Sequence, residues 1–282
     1  MKPIIMISLI VIFLGAACSP VNSPPTETPI PELATSTPTQ LPATDTPTTE
    51  PSATPRPTVD LETVLTPQIT VEYDVDYMIL KTSDEVQISA KQFGTGELAV
   101  ILAHQGTTGA NQRDWETFAR LIAARGYSAV TLDFRGRGRS GGDISATYYL
   151  IRDMRALIDH LHEKGYDRIV CIGASMGGST CLRAAVEYDL EGVVVMGSLM
   201  GTGEPTTVTG EELAALTIPK LFITTEDDGY EVPETMKHMY DISQEPKQFR
   251  IFPGDAHGTK MFKQPYGEQV TAELLAFLEG LR

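Results

Sequence analysis

Gly173-Ala174-Ser175-Met176-Gly177 sets a serine between two glycines, directly after the apolar run Arg168 to Ile172 and ahead of a helical stretch beginning near Gly177. That arrangement suits one kind of chemistry. A sharp strand-to-helix turn lifts a hydroxyl above the end of a sheet, and only glycine tolerates the crowding on either side. The helix start also favours negative charge, which helps when a carbonyl oxygen becomes an oxyanion. A serine hydroxyl is a weak nucleophile until a base takes its proton. The chain has 5 histidines. His160, His162 and His238 fall in helical stretches, whereas His257 sits in the Gly-rich run Gly254-Asp255-Ala256-His257-Gly258 after a strand-like segment ending at Phe252. His257 is therefore the candidate base. His104, in a loop after another strand, is better suited to bracing that loop. Alone, a G-x-S-x-G match is weak and a single histidine is more often a packing or surface residue; their shared position after strands raises both.

A base of this kind needs a carboxylate to hold its tautomer and stabilise its charge. Glu226-Asp227-Asp228 follows the strand-like run Lys220 to Thr224, so Asp228 and Asp227 are both candidates. Asp133 to Gly141 is rich in glycine and arginine but lacks the Gly-Lys-Ser/Thr ending of a phosphate-binding loop. It reads as a structural loop, with Arg137 or Arg139 as substrate-side candidates.

These groups must be carried by a framework, and the pattern supplies one. Leu98 to Ala103, Ser128 to Leu132, Arg168 to Ile172, Gly192 to Met196, Lys220 to Thr224 and Gln248 to Phe252 are short runs, most of them apolar on both faces, as buried parallel strands should be. Helical stretches alternate with them at 113–124, 151–163, 177–187, 233–241 and 267–281. Ile69 to Tyr73 and Val86 to Ala90 alternate apolar and polar, as antiparallel strands at a sheet edge do. The expected class is α/β, a mostly parallel central sheet with helices on both faces. Ligands in such sheets sit beyond the carboxyl ends of the strands, where every candidate above falls.

Taken in order, Ala103-His104-Gln105-Gly106, Asp133 to Gly141, Gly173 to Gly177, Asp227-Asp228 and Gly254 to Gly258 resemble the α/β-hydrolase family. The likeness covers roughly 69–282, including the family's order of Ser, acid and His. It implies a catalytic set of Ser175, Asp228 and His257, with Asp228 preferred because Glu226-Asp227-Asp228-Gly229 resembles the family's G-x-x-D turn with Thr225 in place of the glycine. It implies an oxyanion hole built from the N–H groups of Met176 and Gly106. It implies no metal and no cofactor. Only about twenty residues separate Ser198 from Pro219, where the family often inserts a cap, so no large cap domain is expected. The implied reaction is acyl hydrolysis of a small carboxylic ester. Amides or peptides, or binding by a catalytically silent fold, are the alternatives.

The chain divides at 18 and 66. Residues 1–18 read as an export signal, with Lys2, an apolar run to Leu14, and small residues before Cys18. Leu14-Gly15-Ala16-Ala17-Cys18 resembles a bacterial lipoprotein box, which implies a lipid on Cys18 and a place at the extracytoplasmic face of the membrane. Residues 19–66 are rich in Pro, Thr and Ser and too poor in large apolar groups to offset the entropy of folding, so they read as a linker. Residues 67–282 form the folded domain. A formal charge of -15 argues against nucleic acid as a partner. Cys171 and Cys181 spell no disulfide framework and read as two buried thiols, although a bridge between them is open to an exported chain.

Overall fold

The computed structural model describes residues 75–145, 149–201, 206–229 and 231–282. Cys18, the signal and the linker lie outside them, as does the strand expected at 69–73. Among the described residues no helix is long and apolar enough to cross a membrane.

Eight strands form one sheet: β1 (Val75–Lys81), β2 (Gln87–Phe93), β3 (Leu98–Ala103), β4 (Ser128–Leu132), β5 (Arg168–Ala174), β6 (Gly192–Met196), β7 (Lys220–Thr225) and β8 (Lys247–Phe252), in the order β1-β2-β4-β3-β5-β6-β7-β8. Strands β3 to β8 are mutually parallel, and β1 and β2 run antiparallel at one edge. The partner of β2 is therefore Val75–Lys81, just beyond the stretch the alternation marks. In β1 the period of two is plain: Met78 and Leu80 are buried while Tyr77 and Ile79 are each 64% exposed.

The α-helices among the described residues are α1 (Glu116–Ala123), α2 (Leu150–Glu163), α3 (Met176–Glu187), α4 (Gly210–Ala215), α5 (Val232–Ile242) and α6 (Gly267–Glu279). The helical stretch expected at 113–124 begins as a 3-10 turn, Gln112–Trp115, that runs into α1, while the 3-10 turn Gly258–Lys263 was not marked by any apolar period. Strand residues alternate between two cores. Ala99, Ile101 and Ala103 join Leu157 of α2, Leu182 of α3 and Met236 of α5 on one face. Leu98, Val100 and Leu102 join Phe118 and Ile122 of α1 and Leu274 of α6 on the other. Burial on both faces explains why β3 is apolar without a break.

The chain leaves β3 toward β4 on one side and reaches β5 on the other, so the sheet's switch point lies between β3 and β5. A crevice is expected there, beyond the carboxyl ends of both strands. The loop after β4 braces this region. Asp133 is buried, and its carboxylate accepts from the backbone N–H of Gln112 at 2.9 Å, Gln112 Nε2 at 2.8 Å and the N–H of Arg139 at 2.9 Å. Gly138 passes so close to that carboxylate that a Cβ would lie 2.1 Å from Oδ2. Arg135 is buried between Asp153 (2.6 Å) and Asp84 (2.8 Å). The arginines of this run include structural cations, as the missing phosphate-loop ending suggests.

Cys171 and Cys181 are joined by a disulfide, which corrects the expectation of two separate thiols. Their side chains meet because β5 and the second turn of α3 pack face to face across the turn at Ser175, a tertiary closeness that spacing alone does not encode. Lys220, at the start of β7, is buried and donates to the carbonyls of Leu216 at 2.8 Å and Ile218 at 2.6 Å. Burial pushes its pKa down to about 8.

Two stability measurements follow. Replacing both Cys171 and Cys181 with alanine removes the closure of a short loop, and should lower the unfolding free energy in denaturant titration by about 2–3 kcal/mol. Below pH 8 Lys220 is charged both folded and unfolded, and its burial costs stability in full. Above it, the folded state gives up the proton first. The thermal midpoint of the wild type should therefore rise relative to Lys220→Met as pH increases from about 8 toward the ordinary lysine value of 10.5.

Candidate active site

Ser175 stands at the junction of β5 and α3 with φ 51° and ψ −121°, a conformation that L side chains rarely adopt. The flanking glycines explain how the chain tolerates it. A Cβ on Gly173 would lie 2.3 Å from the carbonyl oxygen of Gly177, and one on Gly177 would lie 2.3 Å from that of Ala103. The turn is held from below. The N–H of Ser175 donates to Met196 O at 2.8 Å, and its carbonyl accepts from Ser198 Oγ at 2.6 Å and from the N–H of Ser179 at 3.1 Å. The hydroxyl-bearing residue is left partly exposed at the top of the sheet, where α3 begins at Met176 rather than Gly177.

His257 lies between β8 and the turn Gly258–Lys263. Its Nδ1 faces both oxygens of the Asp228 carboxylate, at 2.8 Å and 3.0 Å. The Asp228 side chain is 2% exposed and that of His257 is 23% exposed, so one end of the ring is enclosed and the other is open. Asp227 and Glu226 are exposed, and their backbone N–H groups tie the turn to Gly254 O and Phe252 O. Of the two aspartates left open by the sequence, Asp228 is the one against the imidazole. Gly197 makes room for this pair: at φ 54°, a Cβ there would lie 2.8 Å from Asp228 Oδ2. Thr225, which occupies the glycine position of the expected turn, reaches across to Ala256 O at 3.3 Å and so ties β7 to the His257 loop.

Ser175, Asp228, His257, Met176 and Gly106 line one cavity of about 480 Å³ at the switch point. Its walls are predominantly apolar, with Met176, Leu199 and Val232 among them, and Asp255 and Lys260 also line it. Leu199 is 40% exposed. Met176, as the first residue of α3, has an N–H without an acceptor one turn earlier in its own helix. Gly106 packs closely over it, since a Cβ on Gly106 would lie 3.1 Å from Met176 Sδ.

The loop carrying Gly106 is held by polar contacts on several sides. His104 is fully buried, and burial pushes its pKa down. Its Nε2 accepts from the N–H of Phe134 at 3.0 Å, so Nδ1 is the protonated nitrogen and donates to Gln105 O at 2.7 Å. His104 is thus a neutral brace. Arg137 donates to Gly106 O at 2.8 Å, a backbone-bracing contact in keeping with the structural reading of this loop rather than with Arg137 as a substrate-side candidate. Gln105, Gly197 and Ser198 carry no sequence signal of their importance, because what they touch is remote in the chain or belongs to the backbone. Among the described residues no group of three or more His, Cys, Asp or Glu is placed to hold a metal ion.

Comparison with known proteins agrees with this architecture. Residues 97–210 match the family described as serine aminopeptidase, S33. The 2-hydroxy-6-oxononadienedioate/2-hydroxy-6-oxononatrienedioate hydrolase of Burkholderia vietnamiensis is 29% identical over 132 residues, which is 45% of this chain and 44% of that protein. The match thus spans less than half the length of that relative. A Pyrococcus furiosus esterase superposes with a TM-score of 0.63 at 19% identity, covering 74% of this chain and 91% of the esterase. A thermophilic esterase from Thermogutta terrifontis superposes with a TM-score of 0.61 at 19% identity, covering 73% and 99%. The strand order, the serine at the elbow after β5 and the superposed structures show the α/β-hydrolase fold, and residues 97–210 resemble the serine aminopeptidase, S33 family within it.

Proposed function

We propose that this protein is a serine hydrolase that cleaves small carboxylic esters through an acyl-enzyme intermediate. The observation that carries the reading is the seating of Asp228 against His257 Nδ1, with the other end of that ring open to the cavity shared with Ser175. In the proposed reaction His257 Nε2 takes the Ser175 proton as Oγ attacks the carbonyl carbon. The N–H groups of Met176 and Gly106 stabilise the oxyanion; each such donor is worth on the order of 10²–10³ in rate. The imidazolium, held by Asp228, then protonates the departing alkoxide, and the acyl group remains on Ser175. Water, deprotonated by the same imidazole, attacks that ester and releases the acid, returning the proton to Ser175.

Esters are favoured over larger acyl compounds by the cavity. It is open and apolar, and only the short connection between β6 and β7, with α4 as its one described helix, stands where a cap would be. The esterase folds of Pyrococcus and Thermogutta support the same substrate class. A second reading, hydrolysis of amides or peptides, is favoured by the serine aminopeptidase family match over residues 97–210. Relative rates on a matched p-nitrophenyl ester and p-nitroanilide of the same acyl group decide between the two.

We also propose that the protein works outside the cytoplasm on a lipid attached to Cys18. The Cys171–Cys181 bond supports an oxidising compartment, where disulfides persist. Cys18→Ala should abolish labelling by a radioactive fatty acid, and labelling that survives the substitution rules the anchor out.

For the chemistry, a fluorophosphonate probe should label the wild type and fail on Ser175→Ala; an unlabelled wild type would leave a binding role on a silent fold. Asp228→Asn should lower kcat on a p-nitrophenyl ester by on the order of 10³–10⁴. Asp227→Asn should stay within about threefold of the wild type, since an exposed carboxylate without a partner in the site contributes little.

A further inference from the structure

Gln105 is 3% exposed and lies between two loops that the proposed reaction uses. Its carbonyl Oε1 accepts from the backbone N–H of Thr259 at 2.9 Å and from the Thr259 hydroxyl at 3.2 Å. Its amide Nε2 donates to Thr107 Oγ1 at 3.0 Å. Thr259 is two residues beyond His257, and Thr107 immediately follows Gly106. The amide orientation is fixed by its partners, because the Thr259 N–H can only donate. Gly258 completes the fit: at φ 56°, a Cβ there would lie 2.2 Å from Gln105 Oε1. One buried side chain thus spans the loop bearing the base and the loop bearing an oxyanion donor, which are separated by more than 150 residues of chain.

We infer that Gln105 is a positioning residue that sets the distance between His257 and the Gly106 donor. The inference rests on the hydrolase reading above. Proton transfer and oxyanion stabilisation occur in one transition state, so both loops must be in place together. The other braces act on one loop each: Arg137 and His104 on the Gly106 side, Thr225 on the Ala256 side. Gln105 alone among these touches both. Displacement of about 1 Å at a reacting group can cost on the order of 10² in rate. The loss should fall on kcat, since the apolar walls that bind the acyl group, Leu199 and Val232, are not held by Gln105.

Two variants of the full chain test this with p-nitrophenyl butyrate as substrate. Gln105→Met roughly keeps the volume and removes every side-chain hydrogen bond of this residue while leaving the backbone contact with His104. It should lower kcat by on the order of 10–10² with KM within about threefold, while the fluorophosphonate probe still labels Ser175, more slowly. Gln105→Glu offers a second readout. A protonated glutamic acid reproduces both the acceptor for Thr259 and the donor to Thr107. An ionised one cannot donate to Thr107, keeps that contact only if the Thr107 hydroxyl turns to donate, and places a buried charge between the two loops. The ratio of its kcat to that of the wild type should fall as pH rises through the glutamate titration, a trend that a packing defect does not produce. If Gln105→Met does not fold, the pH trend of Gln105→Glu decides. Unchanged kcat in Gln105→Met, or a pH-independent ratio in Gln105→Glu, beside an active wild type overturns the tether and leaves the hydrolase reading intact. A wild type that neither labels nor turns over overturns both.

Discussion

The backbone crowding at the end of β5 is the constraint around which the rest is arranged. Gly173, Gly177 and the carbonyl of Ala103 approach one another within a space that admits no additional methyl group. This packing forces Ser175 into a rare backbone conformation, and the conformation in turn lifts its side chain off the sheet. Strain of this kind, of order 1–3 kcal/mol, persists only where the surroundings over-determine it. Here they do: Met196, Ser198 and Ser179 hold the backbone of Ser175, and the Cys171–Cys181 bond closes the strand and helix that flank it.

From that point the sheet distributes the remaining groups. The switch between β3 and β5 places Gly106 and Ser175 on either side of one crevice, and β7 and β8 deliver Asp228 and His257 from the far edge. The strands are rigid and buried, so the loops beyond them inherit a fixed origin. What the strands cannot fix is the spacing between loops. That falls to buried polar side chains whose hydrogen bonds are costly to break because water cannot replace them. Asp133, His104, Arg137, Thr225 and Gln105 each satisfy backbone groups of a neighbouring loop in this way.

Much of this was legible in the residues. β3, β4 and β6 coincide with the apolar runs read from the sequence, because strands buried on two faces leave no other pattern. Ser175 and His257 stand out through glycines that serve turns, a local signal. Asp228 was separable from Asp227 only through a resemblance; its burial against Gly197, a residue of another strand's end, decides the geometry. The edge strand β1 at Val75–Lys81 was not among the runs read from the sequence, although Met78 and Leu80 are buried between exposed Tyr77 and Ile79; the run at 69–73 lies outside the described residues. The disulfide and the role of Gln105 were out of reach for a common reason. Each depends on which loops the fold brings together, and neither partner's neighbours in the chain record it.

The connection from β6 to β7 has a different character from everything around it. Among its described residues, Leu199 lines the cavity wall and Ser198 holds the serine's backbone. Val208 and Leu213 anchor its later part in the core, so the stretch around Leu199 is the part that faces the cavity without serving the packing beneath. On the proposed reading, side chains at Leu199 would meet the acyl group while the groups that react come from other loops, so this rim is where a change of residue would alter fit before it altered chemistry.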